Sequence, residues 1–335
     1  MALATSSSPI LVLHDVVLHH GRLPQLIRRR GGRDYLDLMS RLYGDEGRRA
    51  ARTMLSAGRD IDASTFPLFE DMVTRSAGTI VHSEFARRQV LSRLPDAPVR
   101  TVPMGVPLPN LVPSGLARER LGIPASAFVV ASITHVNPNK RLHVVFRALR
   151  RIKDRLPEVL LIVAGSVSPS IDLHRLARVY GVERHVRLLG YVSDVEARLL
   201  ARASDVCVNL RYPSAGETSA SLLRLLGAGR PVIVTDDEST AEYPRSAVLP
   251  VPVDRFEDEM VAEFLLLLAN DGELRDEVGT AARAFIEERH TMPAMIDGYR
   301  GAVRDAFGIA LPPAGVDGMH EPPPDMEVRP ETTMT

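Results

Sequence analysis

The chain has 335 residues, 45% of them hydrophobic, and a formal net charge of −1. That length sets a prior of roughly two domains, and the balanced charge excludes a global field for nucleic acid or an anionic membrane, so any basic site is local. The single cysteine, Cys207, excludes an internal disulfide or a cysteine-rich zinc site and fits a reducing, cytoplasmic setting.

No apolar run approaches the roughly 20 residues that span a bilayer. The opening MALATSSSPILVLHDVV lacks the basic start of a signal peptide, and His14 and Asp15 interrupt its apolar stretch. ILVLHD (10–15) therefore reads as a buried strand. Helical patterns follow near 21–30, 34–42, 45–57 and 65–75. GTIVHS (78–83) is a strand, EFARRQVLSRL (84–94) a helix with Ser83 as its N-cap, and VRTVPMG (99–105) a strand. VPLPNLVPSG (106–115) carries three prolines and reads as a linker.

After the linker the rhythm restarts. Strands FVVASI (128–133), VLLIVAG (159–165), VRLLGY (186–191), DVCVNL (205–210) and PVIVTD (231–236) alternate with helices at 141–156, 172–181, 193–203 and 219–229. Such alternation implies parallel sheets covered on both faces. The second half thus reads as a complete doubly wound domain, whereas the first shows only about three strands. From 311 on, proline and acidic residues predict a disordered tail.

A dinucleotide dehydrogenase would need a glycine-rich turn between a strand and the following helix. The GAG at 227–229 follows a helix and precedes a strand, and fits a helix C-cap better.

Ligands of open α/β sheets bind beyond the carboxyl ends of the strands. Two loops hold that position. In RYPSAGETS (211–219), Gly216 allows close backbone approach, Thr218 and Ser219 open a helix able to hold a phosphate, and Glu217 is placed to accept sugar hydroxyls. The same residues equally suit a plain helix cap, and both readings stand. In THVNPNKRL (134–142), His135 and Asn137 precede Lys140 and Arg141 at a helix start, where cations oppose the dipole and invite a reason such as a diphosphate.

With these stretches in hand, THVNPNKRLHVVFRAL, LRYPSAGETSASLLRLLGAGRPVIV, VLHDVVLHH, TIVHSEFARRQV and TVPMGV together resemble retaining glycosyltransferases of family 4 (glycosyl transferases group 1), over roughly residues 10–305. The resemblance implies an α/β protein of GT-B fold, two Rossmann-like doubly wound domains facing a cleft. Here 1–110 would be a partial acceptor-side domain lacking its first strands. Residues 111–310 would be the nucleotide-sugar domain, with a final helix that returns to the first, and 311–335 the tail. The implied activity is metal-independent hexosyl transfer, with retention, from a nucleotide-sugar to a glycan, lipid-linked or small-molecule acceptor. It needs no cofactor and no nucleic acid.

Carried over onto this sequence, Lys140 matches the lysine that contacts the donor diphosphate. His135 stands where many members have arginine, and Arg141 compensates. Thr218 and Ser219 match the turn whose amides hold the diphosphate. Asn137, Gly216 and Leu222 complete the donor side, and Tyr191 and Val192 lie where the family's main chain meets the nucleobase. His14 matches a histidine facing the transferred sugar, and with Lys140 and Glu217 forms the expected catalytic set. The family's pair of glutamates around this helix is broken: by spacing to GRP the positions fall on Gly216 and Arg224, with Glu217 one residue off. That places the ribose contact in doubt.

Other features have quieter readings. His14, Asp15, His19 and His20 suggest a metal cluster, but neighbours on a strand point to opposite faces. The arginines of 22–52 could meet an acidic or lipid-phosphate acceptor at the inner membrane face, or be solvated helix faces paired with Asp34, Asp37, Asp45 and Glu46. Two alternatives to a transferase remain: a non-catalytic nucleotide-sugar or glycan-binding module, and an epimerase or phosphorylase of the same fold.

Overall fold

The apolar runs of the sequence become strands of two separate parallel sheets in a computed structural model, which describes residues 8–309 apart from 29 and 109. The predicted tail, 311–335, lies outside the described residues. In the first half, β1 (Ile10–Val12), β2 (Gly78–Val81) and β3 (Val99–Thr101) form a sheet in that order. In the second, β4 (Phe128–Ile133), β5 (Val159–Ala164), β6 (Val186–Gly190), β7 (Val206–Asn209), β8 (Val232–Thr235) and β9 (Leu249–Val251) order as β6-β5-β4-β7-β8-β9.

The strand order reverses at β4. The chain runs outward to β6, returns to β7 and runs outward again. Helices cover both faces, which is why β4 and β5 read as continuous apolar runs rather than alternating ones. On one face α6 (Leu142–Ile152), α7 (Leu173–Tyr180) and α10 (Glu257–Asn270) pack around Phe146, Leu149, Leu161 and Leu265. On the other, α5 (Ser114–Arg120), α8 (Asp194–Ala203), α9 (Ala220–Gly227) and α11 (Gly272–Arg289) pack around Val129, Ile162, Leu223 and Ile286, with Cys207 among them. Ser193 caps α8 in a full capping box with Glu196.

In the first half, α1 (His19–Arg28) and α2 (Arg33–Ala57) form a hairpin with its own core of Tyr35, Leu38, Met39, Phe66 and Leu68. The two helices read at 34–42 and 45–57 follow each other along α2 with the expected break between them, at Gly44, whose φ of 60° and ψ of −143° interrupt the helical path. The helix expected at 65–75 shrinks to α3 (Glu70–Val73). Leu68 takes a φ of 63°, and its N–H donates to the Tyr43 hydroxyl at 2.8 Å instead of to a helical carbonyl. β3 stops at Thr101 rather than 105.

The last helix, α12 (Met292–Phe307), crosses to the first sheet. There Ala302, Met295 and Tyr299 pack on Ile80 and Val102. A Cβ at Gly298 would overlap Val102, so a glycine is needed for helix and sheet to meet. Within the described residues, no helix is long and apolar enough to cross a membrane.

Candidate functional site

The reversal between β4 and β7 leaves a crevice beyond their carboxyl ends, the position at which open α/β sheets bind ligands. The β4 loop (134–141) and the β7 loop (210–219) meet there. Tyr212 N–H donates to the Asn139 carbonyl at 2.8 Å, and Arg211 N–H donates to Thr235 Oγ1 at 2.9 Å, tying in the β8 loop. A small cavity of about 20 Å³ sits among Asn209, Arg211, Glu217, Ser219, Asp237 and Tyr243.

The cations of these loops differ sharply. Arg141 was expected to face a diphosphate. Its backbone instead adopts a φ of 51°, and its guanidinium lies against Glu257, with Nε 2.8 Å from Oε1. Glu257 is fully buried in the first turn of α10, and a buried carboxylate needs a charged partner. Arg141 supplies it, 5.7 Å from the Tyr212 ring. Lys140 has no carboxylate partner among the described residues. Burial, with Arg211 nearby, pulls its ammonium down to about 8. His135 is exposed, and its Nδ1 is 2.8 Å from Ser166 Oγ. Asn137 begins the 3-10 turn that carries Lys140, and its Oδ1 is buried without a partner.

The β7 loop is satisfied from within. Glu217 accepts from Ala215 N–H at 2.9 Å and Ser214 Oγ at 3.2 Å, and is ion-paired with Arg211. Its carboxylate therefore turns into the loop. Ser219 caps α9 by accepting from Leu222 N–H at 3.3 Å, and the Leu222 side chain belongs to the core while also lining the small cavity. Gly216 was expected to let a ligand approach. With φ 76° it instead admits the protein itself, because a Cβ there would run into Val16 Cγ2 and Phe85 Cε1. Thr218 is half-buried, and its hydroxyl makes no hydrogen bond within the described residues.

The first half supplies the facing wall. Val16 N–H donates to the Ala215 carbonyl at 2.9 Å, and the Glu242 carboxylate accepts from Glu84 N–H at 3.1 Å and from Phe85 N–H, at the start of α4 (Glu84–Arg93). His14 is exposed beside this wall, its ring 4.8 Å from that of His82. His82 is 5% exposed and donates from Nδ1 to the Val102 carbonyl at 2.9 Å, which leaves Nε2 as a buried acceptor without a donor. Burial, with His14 nearby, holds the His82 imidazole below its ordinary range. Burial pushes the Asp15 carboxyl up, against the pull of His14 and Arg211.

Not every expected residue joins this centre. Tyr191 is 84% exposed and Val192 packs into the core. Both follow β6, two strands from β4 and hence about 10 Å along the sheet. Arg224 pairs with Asp194 at 3.1 Å on the α8 start beside them. His19, one of the four residues that suggested a metal, is buried with its ring nitrogens at Phe66 O (2.6 Å) and Tyr35 Oη (2.9 Å). Among the described residues no three His, Cys, Asp or Glu side chains converge as a metal set. Sequence reading missed Arg211, Asn139, His82 and Glu242. Only Arg211 carried a signal: an arginine directly after an apolar strand, six residues before Glu217.

A parallel six-stranded sheet with its crevice at the β4/β7 reversal, facing a second parallel sheet, is the GT-B arrangement of sugar-transferring enzymes. The chain belongs to the family described as Glycosyl transferases group 1, whose model matches residues 115–285. It is 29% identical over 284 residues to a D-inositol 3-phosphate glycosyltransferase of Saccharomonospora viridis, covering 77% of this chain and 63% of that one. It is 27% identical over 278 residues to the protein of the same name from Salinispora arenicola, covering 77% and 60%. The chain thus spans 60% to 63% of the length of these relatives. Among solved structures, Anabaena Alr3699/HepE in complex with UDP superposes with a TM-score of 0.66 at 16% identity, covering 89% of this chain and 72% of that one. Sucrose-phosphate synthase from Thermosynechococcus elongatus gives 0.65 at 18% identity, covering 90% and 74%.

Proposed function

We propose that this glycosyltransferase moves a sugar, with retention, from a nucleoside diphosphate sugar to a phosphorylated polyol, without a metal. The observation that carries the reading is Lys140: a half-buried ammonium with no carboxylate partner, at the carboxyl end of the strand where the sheet order reverses. An unpaired buried cation is costly, and a diphosphate is the anion that would relieve it. Thr218, with a free hydroxyl at the start of α9, supports the same site.

In this reading Lys140 and the α9 start stabilise the departing diphosphate. The acceptor hydroxyl attacks from the face the diphosphate leaves, and the leaving phosphate takes its proton. His14 orients the transferred sugar from the facing wall, and residues 1–110 serve the acceptor. The names of the relatives support a phosphorylated polyol as acceptor, and the UDP bound to Alr3699/HepE makes UDP the first nucleotide to try.

The test is thermal stability of the purified chain with UDP, GDP and ADP, followed by transfer to D-inositol 3-phosphate from the sugar of the nucleotide that binds. A ligand at 100 times its Kd stabilises by about 2.7 kcal/mol. A shift with one nucleotide that Lys140→Ala removes supports the reading. An equal shift in the variant overturns it.

A second reading, donor binding without transfer, is favoured by the Arg211–Glu217 pair, which fills the pocket floor with its own charges. It predicts the same nucleotide shift with neither transfer nor donor hydrolysis.

A further inference from the structure

A second depression, of about 550 Å³, lies away from the cleft in the first half, lined by Arg41, Tyr43, Glu70, Asp71, Arg75 and Arg93. It is remote from the crevice. α4 starts at the cleft, against Glu242, and Arg93 is its last residue. Ten helical residues at about 1.5 Å each place the two ends roughly 15 Å apart.

The carboxylates on its floor are already answered. Glu70 accepts from the Tyr43 hydroxyl at 2.8 Å and lies 3.4 Å from Arg93. Asp71 is held by Arg22 through both oxygens, at 2.5 and 3.0 Å. Burial alone would push the Asp71 carboxyl up. Arg22, with Arg75 and Arg41 close behind, pulls it below the usual carboxylate range. Arg41 and Arg75 line the same depression, yet neither has an ion-pair partner among the described residues. Four arginines face two carboxylates, so two guanidiniums are left over.

We propose that this depression binds a phosphate monoester, gripped by Arg41 and Arg75 and independent of the cleft. Two unpaired guanidiniums match the charge of a phosphate dianion, and their planar forks suit its oxygens. The volume exceeds a bare phosphate and fits a sugar- or glycerol-sized group attached to it. The Thr74 hydroxyl, which donates to the Glu70 carbonyl at 3.0 Å, keeps its lone pairs for a donor of that group. The phosphate can come from a soluble sugar phosphate or from a lipid headgroup. The assignment does not rest on the reading of the cleft.

The test uses the full chain at low ionic strength. Glucose 6-phosphate is titrated by calorimetry, with glucose as the uncharged control. In a second arm, phosphatidylcholine vesicles with and without phosphatidic acid are sedimented with the protein. The expected result is saturable binding in one arm that requires the phosphate. Binding of glucose 6-phosphate identifies a soluble ligand, and binding of phosphatidic acid vesicles alone identifies a headgroup. The double variant Arg41→Ala, Arg75→Ala should weaken it at least tenfold, about 1.4 kcal/mol. Both side chains are exposed and unpaired, so its melting temperature should match that of the parent. No phosphate-dependent binding in either arm, or binding that the double variant retains, overturns the proposal.

Discussion

The β7 loop and the β4 loop are neighbours joined by a hydrogen bond from Tyr212 to Asn139, yet they differ in what they leave undone. The β7 loop looks the more functional in sequence, with its glutamate, hydroxyls and glycine. In the fold its charges neutralise each other and its glycine receives Val16 and Phe85. The β4 loop gives away Arg141 to Glu257 but keeps Lys140 unpaired and Asn137 Oδ1 without a donor. If the proposed site is right, unfinished electrostatics, more than residue type, is what marks the β4 loop out from one that holds itself together.

The comparison breaks most visibly at Lys140. Lys140→Ala should cut sugar transfer by about a hundredfold or more, since one preorganised group at a developing charge contributes roughly 2.7–4 kcal/mol. Circular dichroism should show an intact fold. Transfer within a factor of two of the parent would return both loops to equal standing.

Gly216 sets the next effect. Gly216→Ala forces a Cβ into Val16 and Phe85 at a positive φ, so a loss of about 2–4 kcal/mol is expected on denaturant unfolding. If stability is unchanged, the two halves do not close against this loop.

Glu217 sharpens the contrast further. Glu217→Ala leaves Arg211 largely buried and unpaired, and should cost about 1–3 kcal/mol. Glu217→Gln keeps acceptors for Ala215 and Ser214 and should lose less. If the glutamine variant keeps its stability while transfer collapses, Glu217 faces the sugar after all and the loop reopens when substrate binds.

These outcomes bear on what could be read without coordinates. The strands at 128–133 and 159–164 were legible because both faces are covered, which leaves no alternation to misread. The break at Gly44 was also legible, as a glycine between two helical patterns, whereas the left-handed Leu68 was not, because it depends on Tyr43, 25 residues away. At the site, Lys140 was legible as a cation placed against a helix dipole. The disarming of Arg141 was not, because Glu257 is 116 residues away. β9, with Pro250 inside a three-residue strand and Pro252 directly after it, gave no periodic signal. Gly216 was read as a place for a ligand to come close, but Val16 and Phe85, far along the chain, take that space.

The smallest effect is also the most specific to the unpaired lysine. Its folded pKa is depressed to about 8 from an ordinary 10.5. Below about pH 8 the lysine is charged in both folded and unfolded states, and the fold bears the full cost of burying it. Between about 8 and 10.5 the unfolded chain binds the extra proton, so stability rises with pH, and above 10.5 the cost is gone. Lys140→Met should therefore melt about 1–3 °C higher than the parent at pH 7, a gap that closes as pH approaches 10.5. A bound diphosphate acts in the opposite sense by raising the lysine pKa. UDP binding at pH 8.5 to 9 should take up a proton, visible in calorimetry as a heat that depends on buffer ionisation enthalpy, and affinity should fall as pH rises past about 8. Arg141→Lys leaves Lys140 in place and pairs with Glu257, so it should keep the same proton uptake. Proton uptake that persists in Lys140→Met would place the diphosphate elsewhere and make the β4 loop as self-contained as its neighbour.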